Sequence, residues 1–320
     1  MLVVAGTFDV PPPGSAVPEQ LAPHCTQLPV PLADVYNGVP GASSLKWEGQ
    51  GGFGRPGTDI YLSGHACAVG GHPVTSVTVN VRIGACSRDA VVFGDRRWRR
   101  GVVETIASAP VPFERLPLTY ERSFGGFVDE GSARDRKAAD RNPVGLGLYT
   151  GGPAARDRAL PNIEDPRALI GSSHDRPLPI GFGPVARSWM PRRSLAGSFT
   201  TEWVAERAPL WPRDVDPNFF VAASPGLHAT PRLTGGEAVE LVGLHPDGVM
   251  RFALPTHRLV ARFDAAGRSL RRQLVLDTIM FDTDALTVTL IWRASVVAVP
   301  GVLSVHAVVV RELEDWESAP

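Results

Sequence analysis

From Pro73 to Gly84 the chain reads PVTSVTVNVRIG, with apolar and polar residues in alternation. Val77, Val79, Val81 and Ile83 fall on one side and Ser76, Thr78, Asn80 and Arg82 on the other, which predicts a half-buried strand. SRDAVVFGDRRW follows, with Ser87 to Asp89 as the expected turn, so the two runs form a hairpin. Towards the far end, short apolar runs from Ala238 to Val296 are broken by His-Pro-Asp-Gly at 245–248, by Ala265 to Gly267 and by Thr283-Asp284. This is the punctuation of an antiparallel meander. FTTEWVAER at 199–207 is the one credible helix: Ser198 or Thr200 can cap it, Trp203, Val204 and Arg207 share a face, and Pro209 and Pro212 end it.

Between Phe113 and Pro191 periodicity disappears, and Pro, Gly, Asn, Asp and Arg dominate a stretch far longer than ordinary loops. Tyr120, Phe124, Phe127, Leu146, Leu148, Ile163, Ile170, Phe182 and Trp189 punctuate it, so it reads as a folded loop layer lying on a sheet. The fold expected is mainly β: antiparallel sheets, sandwich or barrel-like, with a long ordered loop layer in the middle and one short helix. The 33 glycines and 30 prolines are spread along the chain and no Gly/Ser-rich linker interrupts it. Residues 1–320 form a single domain, or two β subdomains of about 1–112 and 193–320 joined by 113–192.

A chain of 320 residues, 43% hydrophobic and 20% charged, can bury a real core. Its net charge of −1 supplies no global field for nucleic acid or an anionic membrane. Thirty arginines stand against Lys46 and Lys137, a bias that a GC-rich coding sequence explains without any binding role. Cys25, Cys67 and Cys86 are widely spaced, as in a reducing compartment. The start lacks the basic region of a signal peptide, and the uncharged run from Ala294 to Val310 is broken by Pro300-Gly301, which suits two strands and a turn better than a membrane span. The expectation is a soluble cytoplasmic protein.

Candidate chemistry is sparse. GQGGFG at 49–54 matches a dinucleotide fingerprint formally but lacks the flanking strand and helix, so it reads as a turn-rich loop. His65, Cys67 and His72, with His24 and Cys25, have no paired metal-ligand spacing, so neither a metal nor a cofactor is expected. DRRWRRG sets Arg96, Arg97, Arg99 and Arg100 around Trp98, which could stack a base; a solvated arginine face with Trp98 at the surface is the simpler reading. Trp47 is read the same way, while Trp189, Trp203, Trp211 and Trp292 are assigned to the core. Glu164 and Asp165, Asp277, and Asp282 with Asp284 could supply an acid/base pair, yet each sits among turn residues. In LPLTYERSFGGF at 116–127, Tyr120 and Phe124 are expected to anchor the loop layer, Glu121 and Arg122 to pair with each other, and Gly125-Gly126 to turn the backbone. Asn142 and Asn162 complete the candidate structural and interaction residues.

Eight segments, in order, then carry a resemblance: PGTDIYLSGHA, VVFGDRRW, PFERLPLTYERSFGG, NPVGLG, LPNIEDP, GFGPVARSWMPR, AGSFTTEWVAERAPLWPRDVDPNFF and LDTIMFDTDALTVTLIWRA. Together they resemble a bacterial family of unknown function found in type VI secretion clusters, whose members lie beside VgrG spike and toxic-effector genes. The resemblance spans about Leu2 to Val310 and implies a cytoplasmic adaptor or chaperone that holds an effector, or its PAAR- or Rhs-type carrier, and promotes its loading on the VgrG spike. It implies no catalytic residue. RPGTD at 55–59 departs from the family's KPGTD by Arg55 in place of Lys, a change expected to matter little because the charge is kept. The reading left beside the adaptor is a carboxylate-dependent hydrolase or lyase seated in the loop layer.

Overall fold

The computed structural model describes residues 1–102, 104–128, 137–149, 152–265, 268–296, 305, 307–314 and 317. Among these residues the regular structure is mostly strand, with one six-residue α-helix, Thr201–Glu206, and a few 3-10 turns. The first five-stranded sheet runs in the order Leu2–Asp9, Thr287–Ala294, Val275–Asp282, Thr58–Ser63, His228–Ala229. Its pairs are antiparallel except Val275–Asp282 with Thr58–Ser63, which is parallel. The second sheet, wholly antiparallel, has the order Ile163–Glu164, Cys86–Phe93, Ser76–Ile83, Ala238–Val242, Met250–Ala253. A three-stranded sheet joins Arg268–Gln273, Leu259–Ala265 and Ala307–Glu312. Both large sheets mix strands distant in sequence.

The alternating run behaves as its pattern requires. Val79, Val81 and Ile83 are buried and Ser76, Thr78 and Arg82 exposed. The turn of this hairpin is not at Ser87 to Asp89, which lie within the strand opposite Arg82 to Asn80; it is Gly84-Ala85. Gly84 has φ +54°, the left-handed geometry that suits a two-residue hairpin turn. The later hairpins also form, with turns at 245–248 and at Thr283-Asp284, but they are dealt to three different sheets instead of one meander. Residues 266–267 and Pro300-Gly301 lie outside the described residues.

The two large sheets share one core. Ile60, Leu62, Ile279, Phe281, Val288 and Leu290 of the first join Val79, Val81, Ile83, Leu241, Met250 and Phe252 of the second in it. The first sheet is buried on its other face as well, where Tyr61, Met280 and Ile291 pack with Ala222 and the half-buried Trp47. Its central strands therefore carry the consecutive apolar residues Ile60 to Leu62, Ile279 to Phe281 and Leu290 to Trp292, which serve both faces, as a layer covered on both sides requires. What covers the second face is irregular chain, part of it from the predicted loop layer. Thr200 caps the helix by accepting from the Trp203 backbone N–H at 3.2 Å.

Tryptophan placement corrects several expectations. Trp189 and Trp292 are in the core, but Trp203 and Trp211 are only half-buried. Trp98, expected at the surface, is 0% exposed, in a satellite cluster with Phe124, Ala155, Leu160 and Ile170. Its indole N–H donates to the Tyr149 hydroxyl at 2.5 Å. Arg97, Arg99 and Arg100 do face solvent, but Arg96, expected with them, is buried against Glu164. The neighbours Arg97 and Arg99 point outward because strand alternation sends them to the side opposite the ring. Trp98→Ala empties this satellite core, so we expect a loss of about 3–5 kcal/mol in urea unfolding. A loss below about 0.5 kcal/mol, the level of an exposed substitution, would return Trp98 to the surface.

Candidate functional site

The loop-layer candidates fold into a clamp. Tyr120 is buried, its hydroxyl shares a 2.5 Å hydrogen bond with Ser224 Oγ, and its ring meets Trp189 edge-on at 5.4 Å. Burial pushes the Tyr120 phenol pKa up, against the Ser224 hydrogen bond. Asn142, fully buried, donates from Nδ2 to the Tyr120 and Phe124 carbonyls at 2.8 and 3.1 Å, tying down both ends of the Tyr120 to Phe124 turn. Gly126 follows with φ +91° and donates its N–H to the Asn142 carbonyl, and a Cβ there would sit 2.4 Å from the Gly145 oxygen. Gly125 pairs with Gly147 in a short parallel ladder.

Glu121 and Arg122 do not pair with each other. The Glu121 carboxylate accepts from the Ser44 backbone N–H at 2.6 Å and the Ser44 hydroxyl at 2.8 Å, while Arg122 donates to Asn162 Oδ1 at 3.1 Å. The two side chains leave their shared 3-10 turn for different neighbours. Asn162 also donates to the Phe93 carbonyl and to Asp95, each at 3.0 Å. Glu164 is buried against Arg96, which lies 4.1 Å over the Phe93 ring, and its other oxygen accepts from Ile170 N–H at 2.7 Å. Asp165 accepts from the Arg167 backbone N–H, the turn role expected of it. Arg97 reaches the Asp157 carbonyl, and Trp203 donates to the Leu210 carbonyl. These residues hold loops together; Arg97 and Trp203 stand apart from the clamp.

The densest polar chemistry lies on the second face of the first sheet, and of its residues sequence reading weighs only Asp277 as an acid or base, among turn residues, whereas it lies inside the strand Val275–Asp282. Asp59 and Tyr61 reach that face because they alternate with Ile60 and Leu62, which enter the core. Asp277 joins them through a β-bulge between Leu276 and Thr278, whose extra residue turns Asp277 away from the core its neighbours Leu276 and Ile279 enter. Arg293 follows Ile291 on the same face of the neighbouring strand. Arg55, on the loop leading into the Thr58–Ser63 strand, occupies the centre.

Arg55 donates from Nε to Asp59 at 2.7 Å, from Nη1 to Asp277 at 2.6 Å and to Gln50 at 3.1 Å, and from Nη2 to Glu48 at 2.8 Å. Its backbone N–H donates to the second oxygen of Asp277 at 3.0 Å. Glu48 also accepts from Arg192 Nη2 at 2.8 Å and Arg187 Nε at 3.0 Å. Asp59 accepts from the Tyr61 hydroxyl at 2.9 Å, from Ala222 N–H at 2.8 Å and from Ala223 N–H at 3.2 Å, and shares a 2.8 Å hydrogen bond with His228 Nδ1. Arg293 donates to the Gln50 and Gly52 carbonyls and lies 3.2 Å from Asp277. Glu48, Asp59 and Asp277 balance Arg55, Arg192 and Arg293, and all six are buried.

Burial alone would lower the Arg55 pKa, but Tyr61, Asp59, Asp277 and Glu48 around it outweigh that and hold it well above its ordinary value. For Asp59, burial favours the neutral acid, yet the His228 hydrogen bond, the Arg55 charge and the Ala222 N–H together hold its pKa below the usual carboxylate range. Burial pushes the Tyr61 phenol well up. The three carboxylates thus have their lone pairs directed at donors already in place.

Above this cluster opens a cleft of about 330 Å³. The loops at Leu32 to Asp34 and Gly49 to Phe53 form one side, Arg55, Arg187, Arg192 and Arg293 line it, and Trp211 and Phe220 stand on the rim. The GQGGFG loop is therefore a cleft wall. Among the described residues no three His, Cys, Asp or Glu side chains gather in a metal-holding arrangement; His65 pairs with Asp284 and His24 with Asp9. Likewise, among those residues no helix is long and apolar enough to cross a membrane.

The family of uncharacterized proteins conserved in bacteria designated DUF2169 matches residues 1–293. The chain belongs to this family. Every member of the Arg55 cluster falls within the matched span, as does the cleft. No curated protein and no solved structure matches the chain.

Sequence reading missed the cluster although a signal was present. Asp59, Asp277 and Arg293 are charges set inside strands otherwise apolar enough to be buried on both faces, and such charges demand buried partners. Arg55 is also not interchangeable with Lys, against the expectation that the exchange matters little: one ammonium cannot span three carboxylates as the guanidinium fork does. Arg55→Lys, which leaves at least one buried carboxylate short of donors, should cost about 3–5 kcal/mol in urea unfolding, and an unchanged midpoint would contradict that geometry. Acid should expose Asp59: its folded pKa is depressed, so its contribution is complete above about pH 4 and lost as pH falls through the folded value. Asp59→Asn should be less stable than the wild type at pH 7, with the gap narrowing below about pH 4 in pH-dependent unfolding; a constant gap would remove Asp59 from the acid response.

Proposed function

We propose that this protein is a non-catalytic accessory protein of type VI secretion, which binds a toxic effector, or its PAAR- or Rhs-type carrier, in the cytoplasm and promotes its loading onto the VgrG spike. The observation that carries the binding role is a run of aromatic rings beside the cleft. Phe53 meets Phe220 at 5.3 Å, Phe220 meets Trp211 at 5.7 Å, Trp211 meets Phe199 at 6.2 Å and Phe199 meets Trp203 at 4.8 Å. Phe53 is 58% and Phe199 52% exposed, and Leu32, Val204 and Leu210 are exposed as well. Exposed aromatic and aliphatic side chains next to arginines are the composition of protein-recognition surfaces. The ordered motifs that resemble the secretion-linked family supply the context, effector and spike.

Saturation of the acidic groups favours binding over turnover. A hydrolase or lyase using paired carboxylates needs one that can accept a proton. Glu48, Asp59 and Asp277 spend their oxygens on arginines, a tyrosine and backbone N–H groups, and Glu164 spends its own on Arg96 and Ile170. Co-expression with a type VI effector and a VgrG spike protein from the same bacterium should yield a complex that survives size-exclusion chromatography. Elution of this protein free of both would count against the adaptor.

A further inference from the structure

Donors and acceptors in the cleft are unequally spent. Glu48 has both oxygens filled by Arg55, Arg187, Arg192 and, at 3.5 Å, the Tyr61 hydroxyl. Arg187, by contrast, uses only Nε in a hydrogen bond among the described residues, to Glu48. Its Nη2 forms a long ion pair with Asp34 at 3.7 Å, beyond hydrogen-bond reach, and among the described residues neither terminal NH₂ group of Arg187 has a hydrogen-bond acceptor. The Arg187 side chain is 41% exposed and lines the cleft. Four guanidinium groups line that cleft against two carboxylates, Asp34 and Glu48. Asp59 and Asp277 beneath Arg55 offset part of the charge, but their oxygens are taken by donors of the cluster. The unspent donor capacity of Arg187 leaves room for an acceptor from outside the chain, and the apolar side chains of Phe53, Trp211 and Phe220 line the same cleft.

We infer that the cleft reads an acidic side chain of a partner polypeptide: the partner's carboxylate takes the free end of Arg187, and a large apolar residue next to it in the partner packs on Phe53 and Phe220. Arg187 is already oriented by its Nε bond to the buried Glu48, so the planar fork is presented for pairing through both terminal NH₂ groups at a reduced entropic cost. The volume, about 330 Å³, sits at the small end for binding pockets and suits one or two side chains. This inference rests on the protein-binding reading above and names the chemistry of the partner's contact.

Selection of a random-peptide phage library on the wild-type protein tests it even while the partner is unidentified. Enriched peptides should carry Asp or Glu next to an aromatic or large aliphatic residue. Their affinity, measured with synthetic peptides by fluorescence polarisation, should fall by about tenfold or more on Arg187→Gln or on replacing the peptide's acid by its amide, the scale of one charge-assisted hydrogen bond. Phe53→Ser should weaken the same peptides, and Arg187→Lys should retain part of the affinity, with wild-type thermal unfolding required of each variant. No enrichment, peptides without an acid, or binding indifferent to Arg187→Gln would overturn the inference. If the effector complex forms and Arg187→Gln leaves it intact, this cleft is wrong while the adaptor role stands; if no complex forms but acidic peptides are selected, the reverse holds.

Discussion

The irregular chain on the second face of the first sheet converges on Arg55. Its guanidinium joins Glu48 from one loop, Asp59 from one central strand and Asp277 from the next, while Glu48 in turn draws in Arg187 and Arg192 from the segment before the helix. Asp59 extends the reach to Ala222 and His228. Regions far apart in sequence therefore meet on one buried group, and the irregular chain covering the sheet is pinned to it by charge where most layers are held by apolar contact.

Such a cluster is poorly explained as a source of net stability. Burying three carboxylates and three guanidiniums costs hydration that their mutual attraction only roughly offsets, so an apolar replacement could be as stable. What it supplies is position. An apolar contact tolerates sliding, whereas each carboxylate here accepts from particular atoms, and a loop shifted by one residue would leave a buried charge without a partner. Loops that lack periodic hydrogen bonding of their own gain a defined conformation this way, and the cleft and its aromatic rim inherit it.

The fold was legible to the extent that it rests on periodicity. Ser76–Ile83 alternates and is a strand, Thr200 caps the one helix, and the stretch from Phe113 to Pro191 is largely irregular yet packed around Tyr120, Phe124 and Trp189. What failed depended on contacts distant in sequence. Trp98 looked exposed among arginines because no local pattern reveals the satellite core beneath it, and Glu121 and Arg122 looked like a pair because they are adjacent, whereas Ser44 and Asn162 receive them. The Arg55 cluster joins residues 48 to 293, and only the oddity of charges in apolar strands hinted at it.

The Arg55 cluster is expected to fix the irregular chain packed on the second face of the first sheet, and not the sheets themselves. Hydrogen exchange measured by mass spectrometry on the wild type and Arg55→Met addresses it most directly. Protection should fall in residues 185–195 and 219–224, which reach the cluster through Arg187, Arg192, Ala222 and Ala223, while Ser76–Phe93 in the second sheet keeps its protection. Unchanged protection in those loops, or an equal loss in both sheets, would contradict it.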